Sequence, residues 1–291
     1  MRDDFCAFIL THGRPDRVLT LAALERAGYT GKVYLVVDDE DKTKDKYIEK
    51  YGDMVLLFSK NEIAKTFDLG DNFHAKRGVI IFARNVCFSL ARMVGCKYFV
   101  QLDDDYDAFY YRFDGQNQYG SFRVRKSMDA LFSALLDFYM RTPILTVAFS
   151  QGGDHIGGNS DGKALPCLRR KAMNSFLCST DRPFIFSGRI NEDVNTYASL
   201  SRIGFLFLTI NSVMLNQPMT QQNRGGMTGI YLDGGTYIKS FYSVMYCPSS
   251  VKIGKLGDSR SPNYRIHHHI NWHRTAPKIL RETWKKPTLE P

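Results

Sequence analysis

The chain has 291 residues, 44% of them hydrophobic, so it can bury a substantial core without disulfide staples. A formal charge of +9 and a pI near 9.2 argue against a disordered acidic chain and favour a polyanionic partner or substrate. No run of about eighteen uncharged apolar residues occurs and no charged-then-apolar leader precedes the first strand, which predicts a soluble, cytoplasmic protein with no membrane partner. The six cysteines are scattered without a C-x-x-C pair and several lie inside apolar runs, the pattern of reduced, buried thiols.

In chain order, Phe5 to Leu10 reads as a strand and Thr11-His12-Gly13-Arg14-Pro15 as the loop after it. A helix capped by Asp16 and stopped at Gly28 follows, then a strand from Lys32 to Val37 closing on Asp38. Strand, helix, strand at this spacing is a βαβ unit, so the fold class is α/β with a central, mostly parallel sheet flanked by helices. Lys42 to Tyr51 reads as an exposed helix or loop, Met54 to Phe58 as a short strand, and Val79 to Val94 as a helix stopped at Gly95. A helix capped by Ser127 and ended by Thr142-Pro143 precedes a strand from Ile144 to Phe149. Two glycine-rich stretches, Gln151 to Pro166 and Gln221 to Gly235, read as loops suited to a lid or an acceptor site. With no repeat and no clean linker, the chain is one domain, 1–291, with a nucleotide-binding half to residue 105 and an acceptor-binding half from 106.

Ligands of parallel sheets bind beyond the carboxyl ends of the strands, which brings Thr11 to Pro15, Asp38 and Asp103-Asp104-Asp105 towards one crevice. The run Tyr98 to Asp105 ends an apolar strand in three carboxylates, which repel one another unless a divalent cation such as Mn²⁺ or Mg²⁺ lies among them. In the first loop Gly13 lets backbone approach a ligand and Arg14 can meet a phosphate or stack on a base. His267 and His269 share one face of an extended segment and are candidate metal ligands. Asn191-Glu192-Asp193 opens a helix, where the two acids either complement the helix dipole or serve catalysis.

Lys76-Arg77-Gly78, Ala83-Arg84-Asn85 and the strand into Asp103-Asp104-Asp105 together resemble the stretch before the DxD motif of family 2-like GT-A glycosyltransferases. The resemblance implies a UDP-sugar donor held by Thr11, Gly13, Arg14, Asp38, Arg77, Arg84, Asp103 and Asp104, and a metal held by Asp103 and Asp105 with a late histidine, His267 or His269. It makes Asp193 the base that deprotonates the acceptor hydroxyl, as in inverting members, with Glu192 beside it. Motif order across most of the chain, from Thr-His-Gly-Arg-Pro to the His-rich end, resembles the TET/JBP-associated glycosyltransferases of phages and some eukaryotes. That likeness implies transfer to a hydroxymethylated pyrimidine such as 5-hydroxymethylcytosine in DNA. The basic balance agrees with DNA and offers Arg123, Arg125, Lys126, Arg169, Arg170 and Lys171 as phosphate contacts, while Phe109, Tyr110 and Tyr111 read either as a buried aromatic cluster or as aromatics that stack on the base. The competing readings are a glycan, lipid or protein acceptor, a metal-dependent nuclease or nucleotidyltransferase, and a catalytically silent DNA-binding module.

Overall fold

The computed structural model describes residues 1–71, 77–116, 118–155, 168–217, 238–256 and 265–279. Lys76, the glycine-rich patch from Gln221 to Gly235 and most of the earlier glycine-rich stretch lie outside the described residues.

Nine strands form the central sheet: β1 (Phe5–Leu10), β2 (Lys32–Asp38), β3 (Val55–Phe58), β4 (Tyr98–Asp103), β5 (Ala108–Phe113), β6 (Tyr119–Arg123), β7 (Ile144–Ser150), β8 (Ser175–Ser179) and β9 (Leu206–Asn216). Their spatial order is β3-β2-β1-β4-β8-β7-β9-β5-β6. The ladders joining β3, β2, β1 and β4 are all parallel. β8 is antiparallel to both β4 and β7, β9 runs parallel to β7, and β5 and β6 pair antiparallel at the edge, so all strands but β8 and β5 point the same way. A separate antiparallel hairpin joins β10 (Val251–Leu256) to β11 (Arg265–Ile270).

Helices α1 (Leu19–Ala27), α2 (Lys44–Tyr51), α3 (Lys60–Ala64), α4 (Ile81–Met93), α5 (Met128–Met140) and α6 (Glu192–Ser201) follow in chain order, then α7 (238–246) and α8 (Trp272–Thr275). Among the described residues no helix is long and apolar enough to cross a membrane, and Cys6, Cys87, Cys96, Cys178 and Cys247 are buried free thiols.

Strand β1 shows why its sequence is apolar at every position. Phe5, Ala7 and Ile9 enter a core layer shared with α1 and α5, while Cys6, Phe8 and Leu10 enter a second layer beneath α4 and α6. The same alternation governs β4. Tyr98, Val100 and Leu102 face the first layer, Phe99 the second, and the fully buried Gln101 donates from Nε2 to the Arg84 carbonyl of α4 at 3.0 Å. Where the strand runs out, this period of two sends the consecutive aspartates to opposite sides.

Two expected caps differ from the structure. α1 starts at Leu19 with no side-chain cap from Asp16, and Ser127 sits at the N-cap of α5 but brings its hydroxyl to Tyr111 OH at 3.0 Å. Of the two readings of Phe109, the buried aromatic cluster is the one observed: the residue is 1% exposed and packs against Phe149.

Candidate active site

The carboxyl ends of β1, β2 and β4 lie in register, with Leu10 beside both Val36 and Asp103. A cavity of about 310 Å³ opens there, a volume typical of small-molecule sites. Thr11, Arg14, Asp38 and the three aspartates line one wall; Gln151, Asn174, Asn191, Glu192, Asp193 and Gln217 line the other.

Asp104 turns towards the first loop. Its carboxylate accepts from Thr11 Oγ1 at 2.7 Å and Arg14 Nη1 at 3.0 Å, so it braces that loop. Gly13 takes φ 72°, a left-handed value suited to glycine, and its N–H is engaged by Asp41 Oδ2 at 2.7 Å. Its contribution is therefore the turn, since its backbone donor is already in use. Asp38 is 5% exposed and pairs with His12 Nδ1 at 2.7 Å and Lys60 Nζ at 2.9 Å. Burial raises the Asp38 pKa, but these two partners outweigh it and hold the carboxyl below its usual range; the same Asp38 hydrogen bond raises His12.

Asp103 turns the other way, towards α4. The fully buried Arg84 donates from Nη2 to Asp103 Oδ1 and from Nε to Glu192 Oε1, both at 3.0 Å, with its guanidinium over Phe176. One cation thus ties the end of β4 to the first turn of α6. Burial pushes the Asp103 pKa up to about 7 against the opposing pull of Arg84, and raises Asp104, Asp105 and Glu192 as well. Asp105 Oδ2 accepts from Gln217 Nε2 at 3.2 Å, while its Oδ1 is buried with no hydrogen-bond partner among the described residues.

Asn191 stands at the N-cap position of α6, but its side chain makes no capping bond. Its backbone is left-handed (φ 57°) and its side-chain Nδ2 turns to the Lys239 carbonyl at 2.9 Å, Ser243 Oγ at 3.0 Å and His268 Nδ1 at 3.3 Å. Glu192 and Asp193 nonetheless remain in the first turn of the helix. Asp193, in the next turn of chain, lines the cavity and accepts the Val194 N–H on Oδ1 at 2.7 Å.

Several expected site residues lie elsewhere. Arg77 sits outside the cavity lining, 3.0 Å from Glu40 Oε1 and over the Phe82 ring. His267 and His269 share a face of β11 as alternation requires, but neither lines the cavity: His269 Nε2 meets the Lys255 carbonyl at 2.9 Å and the His267 ring packs on His268. The strand presents its other face inward, so His268 is the buried one, its pKa lowered to about 3 mainly by burial. Arg123, Arg125 and Lys126 are exposed on the far edge of the sheet, and Arg170 pairs with Asp154 at 2.6 Å. The residues missed in the sequence are Lys60, Gln151, Asn174, Gln217 and Lys239. Lys60 lies two residues past the end of β3, so the carboxyl-end rule could have found it; Gln151, Asn174 and Gln217 needed β7, β8 and β9 placed side by side, and Lys239 the placing of α7.

The metal expectation can be tested on the donors present. Asp103 and Asp105 border the cavity, and the orphaned Asp105 Oδ1 is a hard, buried oxygen that fits a divalent ion. Among the described residues no group of three or more His, Cys, Asp or Glu side chains is gathered to hold a metal. An ion here would thus draw its remaining oxygen donors from substrate or water.

A family model described as TET-Associated Glycosyltransferase matches residues 5–226, about three quarters of the chain. Among solved structures, S. aureus TarS 1-349 in complex with UDP is 12% identical at a TM-score of 0.42, over 73% of this chain and 60% of that one, so the chain spans about three fifths of that relative. Glucosyl-3-phosphoglycerate synthase from Mycobacterium tuberculosis, solved with Mg²⁺ and UDP, is 11% identical at a TM-score of 0.46, over 91% and 87% of the two chains. The same enzyme with Mn²⁺, UDP and phosphoglyceric acid is 13% identical at a TM-score of 0.46, over 91% and 86%. No curated protein sequence matches the chain.

Proposed function

The chain belongs to the TET-associated glycosyltransferase family and is a glycosyltransferase; from that premise we propose that it moves a sugar from a UDP-sugar to the hydroxymethyl oxygen of a modified pyrimidine in DNA. One observation carries the reading. Four buried polar atoms without hydrogen-bond partners among the described residues, Arg14 Nε, Arg84 Nη1, Asp105 Oδ1 and Gln151 Nε2, belong to residues lining the same cavity as Asp193. Buried polar groups are almost always satisfied, so their gathering here suits a polar, charged ligand.

In this reading Asp103 and Asp105 would hold a divalent ion against the donor diphosphate. When bound, such an ion supplies Lewis-acid stabilisation of the negative charge that builds on the leaving diphosphate. Asp193 accepts the proton of the acceptor hydroxyl, the freed oxygen forms a bond to the anomeric carbon, and the bond from that carbon to the β-phosphate oxygen breaks, its electron pair leaving with UDP. Arg84 acts at one remove: its Nε and Nη2 are committed to Glu192 and Asp103, so it fixes the spacing between the donor carboxylates and the acid pair of α6. Asp38, His12 and Lys60 form a polar end to the donor wall, suited to a nucleoside.

Mass spectrometry of hydroxymethylated DNA incubated with a panel of UDP-sugars and Mn²⁺ tests the proposal. The expected result is a gain of one sugar on the modified base. Transfer to a glycan with no gain on any modified base would overturn the DNA acceptor.

A further inference from the structure

We propose that the side-chain amides of Gln151 and Asn174 form the acceptor-reading subsite, taking the Watson–Crick edge of the pyrimidine that carries the hydroxyl. The inference rests on the function proposed above and specifies what its acceptor wall recognises. The Phe149 N–H donates to Ser175 Oγ at 2.9 Å, so the chain ends bearing Gln151 and Asn174 leave the sheet side by side. Both line the cavity that holds Asp105 and Asp193.

The polarity of the Asn174 amide is set by a relay. An ionised carboxylate only accepts, so Asp105 Oδ2 takes the Nε2 of Gln217 at 3.2 Å. Gln217 therefore turns its Oε1 away, and Asn174 Nδ2 donates to it at 3.0 Å. That leaves Asn174 Oδ1 as an acceptor with no hydrogen bond among the described residues, beside Gln151, whose Nε2 is a buried donor with no partner. Asn174 sits at φ 63°, a left-handed conformation that asparagine tolerates better than most residues with a Cβ, and Tyr106 OH donates to its carbonyl.

One open acceptor beside one open donor, both on planar amides, complements a pyrimidine edge. Cytosine presents its amino donor beside the N3 acceptor, and uracil its N3 donor beside a carbonyl. Met173, which also lines the cavity, supplies an apolar, polarisable contact for a ring face. The relay also joins this subsite to Asp105, so acceptor and donor are positioned from one residue.

The test is steady-state transfer to a hydroxymethylated oligonucleotide by Gln151→Ala, Gln151→Glu and Asn174→Asp. Calorimetric UDP affinity and thermal unfolding identify any variant that has lost its fold. Acceptor kcat/KM is expected to fall roughly 5- to 150-fold in each, the range of one good amide–base pair, with UDP affinity retained in the Gln151 variants. Wild-type transfer to the modified base with unchanged acceptor kcat/KM in folded variants would overturn the amide subsite and leave the proposed function standing. Wild-type transfer to glycan hydroxyls alone would overturn both.

Discussion

The two walls of the cavity are held by different interactions. On the donor wall, at the ends of β1, β2 and β4, most side chains have partners: Thr11 and Arg14 with Asp104, His12 and Lys60 with Asp38. On the acceptor wall, Asn174 and Asn191 hold left-handed backbones at φ 63° and 57°, and Gln151 keeps an unpartnered donor. Open polar atoms occur on both walls among the described residues, Arg14 Nε and Asp105 Oδ1 on the donor side and Gln151 Nε2 on the acceptor side, so the walls differ in what ties them: ion pairs on the first, amide hydrogen bonds on the second.

The largest expected effect breaks the acceptor wall alone. Asp193→Asn should lower the transfer rate about 10²- to 10⁴-fold, the usual contribution of a general base, while UDP affinity measured by calorimetry stays within about twofold. Full turnover in this variant would exclude Asp193 as the base. Next, Arg84→Met cuts the tie between the walls and leaves Asp103 and Glu192 buried without their cation. Denaturant unfolding should show a loss of about 3–5 kcal/mol. A loss below about 1 kcal/mol would mean the bridge does not hold the walls together.

The smallest effects separate the walls by pH. His268, behind the acceptor wall, has its pKa lowered to about 3, so between pH 6.5 and 3 the unfolded chain takes up a proton that the folded chain refuses. Stability should fall on acidification through that window, and His268→Phe should flatten the slope. His12 on the donor wall has the opposite sign. Asp38 raises its pKa, so its contribution is complete below pH 6.5 and is lost as pH rises through the folded value. His12→Ala should remove part of that alkaline loss; an unchanged profile would sever His12 from Asp38.

The donor wall was legible in the sequence because its parts are local. β1, β2 and β4 are short apolar runs punctuated by Gly13, Gly28 and Gly95, all three at positive φ, and the carboxyl-end rule then brings Thr11, Asp38 and Asp103 together without long-range information. The acceptor wall was not legible, since β8 and β9 carry no turn signal that fixes their neighbours. β8 enters antiparallel between β4 and β7, and only that insertion brings Asn174 and Gln217 to Asp105. The His-rich end illustrates the limit of periodicity. Alternation correctly grouped His267 with His269, but which face turns inward depends on pairing with β10 and on Asn191, seventy-seven residues away, and that packing chose His268.

The central claim is that Asp103 and Asp105 bring a divalent ion to the donor diphosphate, and calorimetric titration of UDP with and without Mn²⁺ tests it most directly. UDP binding by the unaltered protein should tighten roughly 5- to 150-fold with the ion, a typical coupling between two ligands, and Asp105→Ala should abolish the difference. Equal UDP affinity in Mn²⁺ and in a chelator, with the unaltered protein, would contradict it.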